Sequence, residues 1–180
     1  TNAKTLIADY EFTTKKPEMG TMDYDGVTLQ VVEIPAISKD FLGKEKGAAY
    51  MSLVRDSNLI VIVSRSKEDV ILVKKELVEA GIKFKGIVLD SKDEKAKEKI
   101  WKKLKLIYVY TKSPGKDKDH PPIALRRGSN VKELARNVHK DFINRFDYAR
   151  VWGKGAKFDG QRVGLNHTLK EKDIVELHLK

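Results

Sequence analysis

Residues 106–111 of the chain read LIYVYT, and this apolar run of β-branched and aromatic side chains predicts a strand. The turn-forming triplet Ser113-Pro114-Gly115 follows it. After a polar loop, residues 121–125 read as a second extended segment. These two segments predict a hairpin at the start of the C-terminal part of the chain.

A helix is predicted after the hairpin, because Asn130 and Glu133 have the spacing of a capping box. The side chain of Asn130 accepts from backbone N–H groups at the helix start, and Glu133 reaches back to the backbone of Asn130. Apolar residues then recur at helical spacing along one side: Val131, Leu134, Val138 and Phe142. This helix therefore has one apolar side to bury.

Three short segments that close the chain read as strands: residues 148–152, 161–163 and 173–179. A hairpin, one helix and then further strands is the order of a ubiquitin-like β-grasp, in which one helix lies across one face of one sheet. We therefore expect residues 105–180 to form a β-grasp domain.

Residues 1–104 alternate strands and helices, which predicts an α/β domain with a mostly parallel sheet. Asp25-Gly26 predicts a two-residue hairpin turn between strands at 21–24 and 27–34. The continuous apolar run at 59–63 predicts a parallel strand buried on both faces. The other predicted elements are a helix at 47–55, a helix from Ser66 to Gly81, a strand at 87–89 and a charged helix at 92–104.

Composition excludes several classes of protein. The 180 residues contain no cysteine, which excludes disulfides and thiolate metal sites and agrees with a reducing, cytoplasmic compartment. No apolar run is long enough to span a membrane, so we expect no membrane partner. The four histidines lie too far apart in sequence for a compact metal motif, and no nucleophile–base arrangement stands out, so we assign no catalytic residue.

The basic surplus is uneven. Residues 105–180 hold 17 lysines and arginines against 9 acidic residues, whereas residues 1–104 hold 19 against 17. Such a surplus in a small domain predicts contact with a phosphate backbone; the alternative is a basic surface that serves only solubility. A candidate strip for RNA or a partner protein lies at the start and along the exposed side of the helix predicted after Asn130, which is the fourth predicted helix, α4. We call it the α4 strip; it consists of Arg126 and Arg127 before the helix and of Lys132, Arg136 and Lys140 on its exposed side. Tyr110, Trp152 and Phe158 are candidates for stacking on bases, although the apolar strand context of Trp152 favours a core position for it.

The C-terminal part resembles the TGS domain of the developmentally regulated GTP-binding proteins, within the Obg-related GTPases. The motifs that carry the resemblance follow one another in the family's order: IYVYTK at 107–112, DYARVWG at 147–153, QRVG at 161–164 and HTL at 167–169. The resemblance implies an accessory module that contacts RNA or the ribosome.

The N-terminal part resembles a reduced Ras-like domain of the same GTPases. YEFTT at 10–14 is similar to the first switch, and VVEIPAI at 31–37 stands where the family has an Asp-x-Pro-Gly turn. The resemblance implies GTP and Mg²⁺ as cofactors, with Thr14 as the magnesium ligand and Thr13 beside it. Glu33 occupies the position of the turn's aspartate, and Ala36 replaces the glycine that would meet the γ-phosphate.

Other family motifs are missing. No G-x-x-x-x-G-K-[ST] phosphate-binding loop occurs anywhere in the sequence. Asp93 stands near the position of the guanine-reading aspartate, with a helix cap as the alternative role. The chain can be a fragment of a longer protein, a naturally reduced relative, or both; the altered residues at Ala36 and 90–91 favour natural reduction.

The sequence therefore predicts a homologue or fragment of these GTP-binding proteins that associates with RNA or the ribosome through its basic TGS domain. We expect GTP binding and hydrolysis to be impaired in this chain, since it lacks the phosphate-binding loop. The alternative is a non-enzymatic adaptor that uses the G-like domain as a scaffold for protein interaction.

Overall fold

The structure of the protein is a computed structural model that describes residues 16–180. These residues form two compact units. The first contains residues 16–24 and Thr28–Leu104, and the second contains Asp25–Val27 and Lys105–Lys180. Each unit has a hydrophobic core of its own.

The first unit alternates strands and helices, as its sequence pattern predicts. Its elements are β1 (Glu18–Tyr24), β2 (Val27–Glu33), α1 (Gly47–Asp56), β3 (Ile60–Val63), α2 (Lys67–Glu79), β4 (Gly86–Leu89) and α3 (Ala96–Leu104). Its core lies where α1 and α2 cover β3, around the buried side chains of Phe41, Met51, Leu77, Ala80 and Ile82.

The turn and cap predictions for residues 16–104 are confirmed. Asp25 and Gly26 join β1 to β2 with φ angles of 50° and 87°, the left-handed geometry that a two-residue hairpin turn requires. Ser66 caps α2, because its side chain accepts from the backbone N–H of Asp69 at 3.2 Å. Gly81 ends this helix at φ 70°, a conformation that glycine adopts without steric cost.

The sheet of the first unit is smaller than its apolar strands predict. Strands β3 and β4 pair in parallel, from Ile60 opposite Gly86 to Val63 opposite Leu89, and form a two-stranded sheet separate from β1 and β2. Val63 is 59% exposed and Val88 is 41% exposed. The prediction of a strand buried on both faces is therefore wrong. Val88 is exposed opposite the buried Ile62, and Val63 is exposed opposite the buried Leu89, so each face of this narrow sheet is covered by the described residues over only part of its length.

Helix α3 begins four residues later than its sequence predicts. Asp90 and Asp93 are responsible, since their side chains accept from the backbone N–H groups of Lys92 at 2.8 Å and Lys95 at 3.0 Å. Such side-chain turns offer the backbone an alternative to helical hydrogen bonds. The helix starts only where this alternative ends, at Ala96.

The second unit has the predicted β-grasp architecture. Its elements are β5 (Leu106–Lys112), β6 (Ile123–Arg126), α4 (Val131–Val138), β7 (Phe146–Trp152), β8 (Gln161–Val163) and β9 (Ile174–Leu179). The strands form one five-stranded sheet in the order β6-β5-β9-β7-β8, in which only the β5–β9 pair is parallel.

Helix α4 covers one face of this sheet. Its capping box is present in full: Glu133 N–H donates to Asn130 Oδ1 at 3.1 Å, and Asn130 N–H donates to Glu133 Oε2 at 2.9 Å. Val131 and Leu134 are completely buried and pack with the inward-facing residues of the strands, which are Ile107, Val109, Leu125, Ala149, Val151, Val163 and Val175. The prediction that this helix buries one apolar side is confirmed for its first two turns.

The helix is shorter than the apolar spacing predicts. It ends at Val138 because His139 has extended backbone angles, and the Nδ1 atom of His139 accepts from the N–H of Asp141 to start a separate 3₁₀ turn, Lys140–Phe142. Phe142 therefore does not belong to α4, and Val138 is 38% exposed.

A buried carboxylate holds the loop after β7. Asp173 is fully buried, and its two oxygens accept from the backbone N–H groups of Gly155 at 2.9 Å and Lys170 at 2.8 Å. A Cβ atom at Gly155 would lie 2.0 Å from Asp173 Oδ2, so only glycine fits beside this carboxylate. The loop from β7 to β8 is thus positioned by one side chain that precedes β9.

No helix in residues 16–180 is long and apolar enough to cross a membrane.

Replacing Gly155 by alanine should destabilise the second unit by about 1–3 kcal/mol, because the new methyl group displaces Asp173 and leaves buried N–H groups unpaired. The measurement is urea unfolding followed by Trp152 fluorescence in a Trp101→Phe background. Gly164→Ala is the matched control, since a Cβ atom there meets nothing within 4 Å. Equal destabilisation by the two substitutions would contradict the role assigned to Asp173.

Candidate nucleic-acid interface

The α4 strip begins at the turn between β6 and α4. Arg126 ends β6 and Arg127 follows it, and both side chains are exposed. The turn is fixed by backbone hydrogen bonds from Arg127 N–H to the Lys105 carbonyl at 2.7 Å and from Ser129 N–H to the Arg126 carbonyl at 3.0 Å. Two guanidinium groups are therefore presented to solvent from a well-defined turn.

The strip continues on α4 for only part of its predicted length. Lys132 is half-buried and Arg136 is exposed, and the two lie one helical turn apart. Lys140 is exposed but lies in the 3₁₀ turn that follows His139. The expectation that Lys140 continues the exposed side of the helix is wrong, because the extended backbone of His139 ends α4 first.

The charges of the α4 strip are not neutralised within the described part of the chain. None of its five cations forms an ion pair with a carboxylate of residues 16–180. Glu133 lies among them in sequence, but its carboxylate is engaged by the backbone of Asn130. A set of unpaired cations on one helix and its leading turn has the electrostatics of a surface for an anionic partner.

Two arginines on the sheet were missed by the sequence reasoning. Residues 148–152 alternate between the core and the opposite side of the sheet, and this period places Arg150 away from the core residues Ala149 and Val151. Arg150 stands opposite Arg162 of β8 in the register of the sheet. The strand alternation was the signal that could have found this pair.

The three aromatic candidates differ in their surroundings. Tyr110 is half-buried, with Lys118 Nζ 4.0 Å from its ring centroid. Trp152 is also half-buried, with Lys112 Nζ 4.5 Å from its ring centroid, so it does not belong to the buried core. Phe158, in the loop from β7 to β8, is 66% exposed.

The residues that the resemblance assigns to GTP and Mg²⁺ are only partly described. Thr13 and Thr14 lie outside the described residues. Glu33 is the last residue of β2, and Ala36 follows it by three positions in an irregular segment; both are exposed.

Asp93 has the geometry of a helix-starting residue. Its Oδ1 atom accepts from Lys95 N–H at 3.0 Å, and its Oδ2 atom lies 2.5 Å from Lys99 Nζ. The Lys99 hydrogen bond is the main reason why the pKa of this carboxyl lies below its ordinary value of 3.8, and the backbone N–H of Lys95 acts in the same direction. Both oxygens are thus engaged by groups at the start of α3.

The described residues do not supply a fitting site for the cofactors of the family. Within residues 16–180, no group of three or more histidines, aspartates or glutamates is placed to hold a metal ion. The sequence contains no phosphate-binding loop, and the Asp93 carboxylate already has its own partners. We therefore derive no reaction step through GTP or Mg²⁺.

A β-grasp that follows an α/β unit is the arrangement of a GTPase-related protein with a C-terminal TGS domain. Residues 107–179 match the TGS domain family, and residues 1–112 match the family described as 50S ribosome-binding GTPase. Because the second match spans more than half of the chain, the chain belongs to that GTPase family. Together with its relatives, the two matches confirm the resemblance to the developmentally regulated GTP-binding proteins.

The chain is similar to several curated proteins over part of their length. An uncharacterized GTP-binding protein of Methanocaldococcus jannaschii is 44% identical over 115 residues, which cover 60% of this chain and 28% of that protein. Human developmentally-regulated GTP-binding protein 2 is 37% identical over 81 residues, which cover 44% of this chain and 22% of that protein. The chain thus spans about a quarter of the length of these relatives.

Among solved structures, a GTP binding protein from Pyrococcus horikoshii OT3 aligns with a TM-score of 0.43 and 21% identity. The alignment covers 68% of this chain and 45% of that chain.

Replacing Lys99 by methionine should raise the pKa of Asp93 towards 3.8, because its main hydrogen-bond donor is lost. Since the folded-state pKa is lowered, the contact stabilises the fold above about pH 4 and is lost as the pH falls through the folded-state pKa. The measurement is an NMR titration of the carboxyl carbon. Lys97→Met is the control and should leave the pKa unchanged; a pKa that is insensitive to Lys99→Met would contradict the assigned contact.

Proposed function

We propose that this chain is a member of the developmentally regulated GTP-binding protein family that associates with RNA, as part of the ribosome or free, through its β-grasp unit. One observation carries the proposal. The α4 strip presents five cations that have no carboxylate partner within residues 16–180, in the unit that holds most of the chain's basic surplus.

The chemistry of the strip suits a phosphate backbone. Arg126 and Arg127 carry planar guanidinium groups that bind two phosphate oxygens at once, and they project from a turn fixed by backbone hydrogen bonds. Lys132, Arg136 and Lys140 add three further positive charges between residues 132 and 140. The description of the matched family as a 50S ribosome-binding GTPase supports the same class of partner.

The first unit has a reduced role in this proposal. GTP and Mg²⁺ are the family's cofactors, and Thr13, Thr14, Glu33, Ala36 and Asp93 are the positions that the resemblance assigns to them. Without a phosphate-binding loop in the chain, these positions alone hold GTP weakly, and the chain by itself hydrolyses it poorly. The proposal places the protein in the cytoplasm, where ribosomes are found.

A protein-interaction adaptor is the second candidate, and one observation favours it. Several large apolar side chains of the first unit are exposed: Leu53, Val63, Ile71, Val78 and Val88. Exposed apolar side chains that gather in one patch mark surfaces for protein partners. In this alternative the G-like unit acts as a scaffold and the basic strip is not required.

Replacing Arg126 and Arg127 by alanine should weaken binding to purified ribosomal RNA and reduce its salt dependence. In a plot of the logarithm of the association constant against the logarithm of the salt concentration, each phosphate contact contributes about 0.7–0.9 to the magnitude of the slope. Loss of two contacts should therefore lower that magnitude by about 1.6. The measurement is filter binding at several salt concentrations.

Lys97→Ala with Lys103→Ala is the matched control, because it removes the same charge from exposed positions on α3. This variant should bind like the parent. If the control loses as much affinity as the arginine variant, only net charge matters and the α4 strip is not the contact surface.

We expect calorimetric titration of the chain with GTP and Mg²⁺ to give no binding at micromolar concentrations. The reason is that the sequence contains no G-x-x-x-x-G-K-[ST] loop, the motif whose backbone amides and lysine cradle the phosphates. The Methanocaldococcus jannaschii relative, a GTP-binding protein by name, serves as the positive control. A dissociation constant in the micromolar range for this chain would overturn the proposed loss of nucleotide affinity.

A further inference from the structure

The side of the five-stranded sheet opposite α4 carries a group of charged and aromatic residues, which we call the open face. Alternation along the strands defines it, since Ala149, Val151 and Val175 point into the core and their neighbours point away. The open face consists of seven residues on strands β5, β7, β8 and β9: Lys112, Tyr148, Arg150, Trp152, Arg162, Glu176 and His178.

Two arginines meet at the centre of the β7–β8 pair. Arg150 and Arg162 are directly opposite each other in the antiparallel register, where the Cβ atoms of such pairs lie about 4.5–5.5 Å apart. Like charges at this spacing repel each other and destabilise the sheet. Arg162 has Asp147 Oδ1 at 3.7 Å, whereas Arg150 forms no ion pair within residues 16–180.

The nearest carboxylate on the next strand does not relieve the repulsion. Glu176 stands opposite Arg150 in the register of β7 and β9, but it is only 5% exposed and already has two partners. Lys112 Nζ lies 3.6 Å and His178 Nε2 lies 2.6 Å from its oxygens. Within residues 16–180, Asp147 is therefore the one carboxylate that forms an ion pair with either of the two guanidinium groups.

Aromatic rings lie on both sides of the arginine pair along β7. On one side, the ring of Tyr148 stacks on His178 with centroids 4.1 Å apart and has the Arg162 guanidinium 3.9 Å from its centroid. On the other side, Trp152 is half-buried and leads into the loop held by Asp173.

The loop adds an accessible ring and two further cations. Gly160 lies against Trp152, since a Cβ atom on it would be 3.4 Å from the indole. Phe158, two residues earlier, is 66% exposed and stacks on no other ring of the described chain. Lys154 and Lys157 are both exposed in the same loop.

We infer that the open face and the loop that packs against Trp152 together bind single-stranded RNA, with phosphates on Arg150 and Arg162 and an unpaired base stacked on Phe158 of the loop. The inference deepens the proposed function, and it rests on RNA being the partner. The open face is a second contact surface, separate in its residues from the α4 strip, and it sets the preference for unpaired nucleotides.

The exposed aromatic ring is what selects this ligand among polyanions. An acidic protein segment would satisfy the arginine pair equally well, but it would give Phe158 no flat surface to stack on. Duplex RNA offers phosphates but keeps its bases stacked on each other. An unpaired strand supplies both groups, and its bases stack on aromatic side chains with little regard to sequence.

The test compares two fluorescein-labelled probes, a mixed-sequence RNA strand of about 12 nucleotides and the same strand annealed to its complement. Affinities are measured by fluorescence anisotropy at several salt concentrations for the full chain. Arg150→Gln with Arg162→Gln should weaken single-strand binding about tenfold and lower its salt slope by about 1.4. Phe158→Ala should weaken it about tenfold without changing the slope.

Controls separate this site from the α4 strip and from misfolding. Lys97→Gln with Lys103→Gln removes the same charge from α3 and should leave both affinities unchanged. Arg126→Ala with Arg127→Ala should weaken duplex binding more than the open-face variants do. Amide hydrogen exchange in β5 and β9 shows that each variant keeps the folded sheet.

The outcomes are distinguishable. If single-strand binding is strong and unaffected by all three open-face substitutions, the inference is wrong while RNA association stands. The inference also fails if a poly-glutamate peptide competes as well as the RNA strand at equal charge, because aromatic stacking then has no part in recognition. If the parent chain binds neither RNA probe, the proposed function itself fails.

Discussion

A single helix can cover only one face of a five-stranded sheet, and this limit organises the second unit. Val131 and Leu134 of α4 become completely buried against one face, which fixes the inward side of every strand that crosses the core. The alternate residues of those strands then have to lie on the other face. That face carries charged and aromatic residues; Arg150 on it is exposed, whereas Tyr108 and Glu176 on it are buried.

Two acidic residues of this unit are engaged by the backbone and form no ion pair with the α4 strip. Glu133 is engaged by the backbone of Asn130 in the capping box, and Asp173 accepts from Gly155 and Lys170 in the interior. Carboxylates that complete the backbone hydrogen bonding of the fold are not available to neutralise arginines. The basic character of the surface is therefore a consequence of how the fold satisfies its buried and terminal N–H groups, in addition to composition.

In the first unit, apolar side chains remain exposed beside the core. Its parallel strands are strongly apolar, but the sheet they form has only two strands, and each of its faces is covered by the described residues over only part of its length. The side chains of Val63 and Val88 therefore remain exposed to solvent, one on each face of this narrow sheet. The two candidate functions thus correspond to different surface chemistry, a charged one in the second unit and an apolar one in the first.

Local signals in the sequence determined several turns and helix starts, although the local contacts that delay the start of α3 and end α4 were not predicted. The capping box at Asn130, the hairpin turn at Asp25-Gly26 and the cap at Ser66 each depend on residues within three positions of one another, and all three are present. The apolar spacing predicted the buried side of α4, and the order of elements predicted the β-grasp. The uneven charge identified the basic unit, because charge is a property of composition.

Only the tertiary structure decided which residues meet across strands and which apolar residues stay exposed. Arg150 and Arg162 are twelve residues apart in sequence, and it is the antiparallel register of β7 and β8 that places them opposite each other. The end of α4 at His139 and the narrow width of the β3–β4 sheet also escaped the spacing argument. Hydrophobic periodicity reports the secondary structure that one segment prefers. The register of a strand pair and the burial of its side chains depend on residues that are distant in the chain.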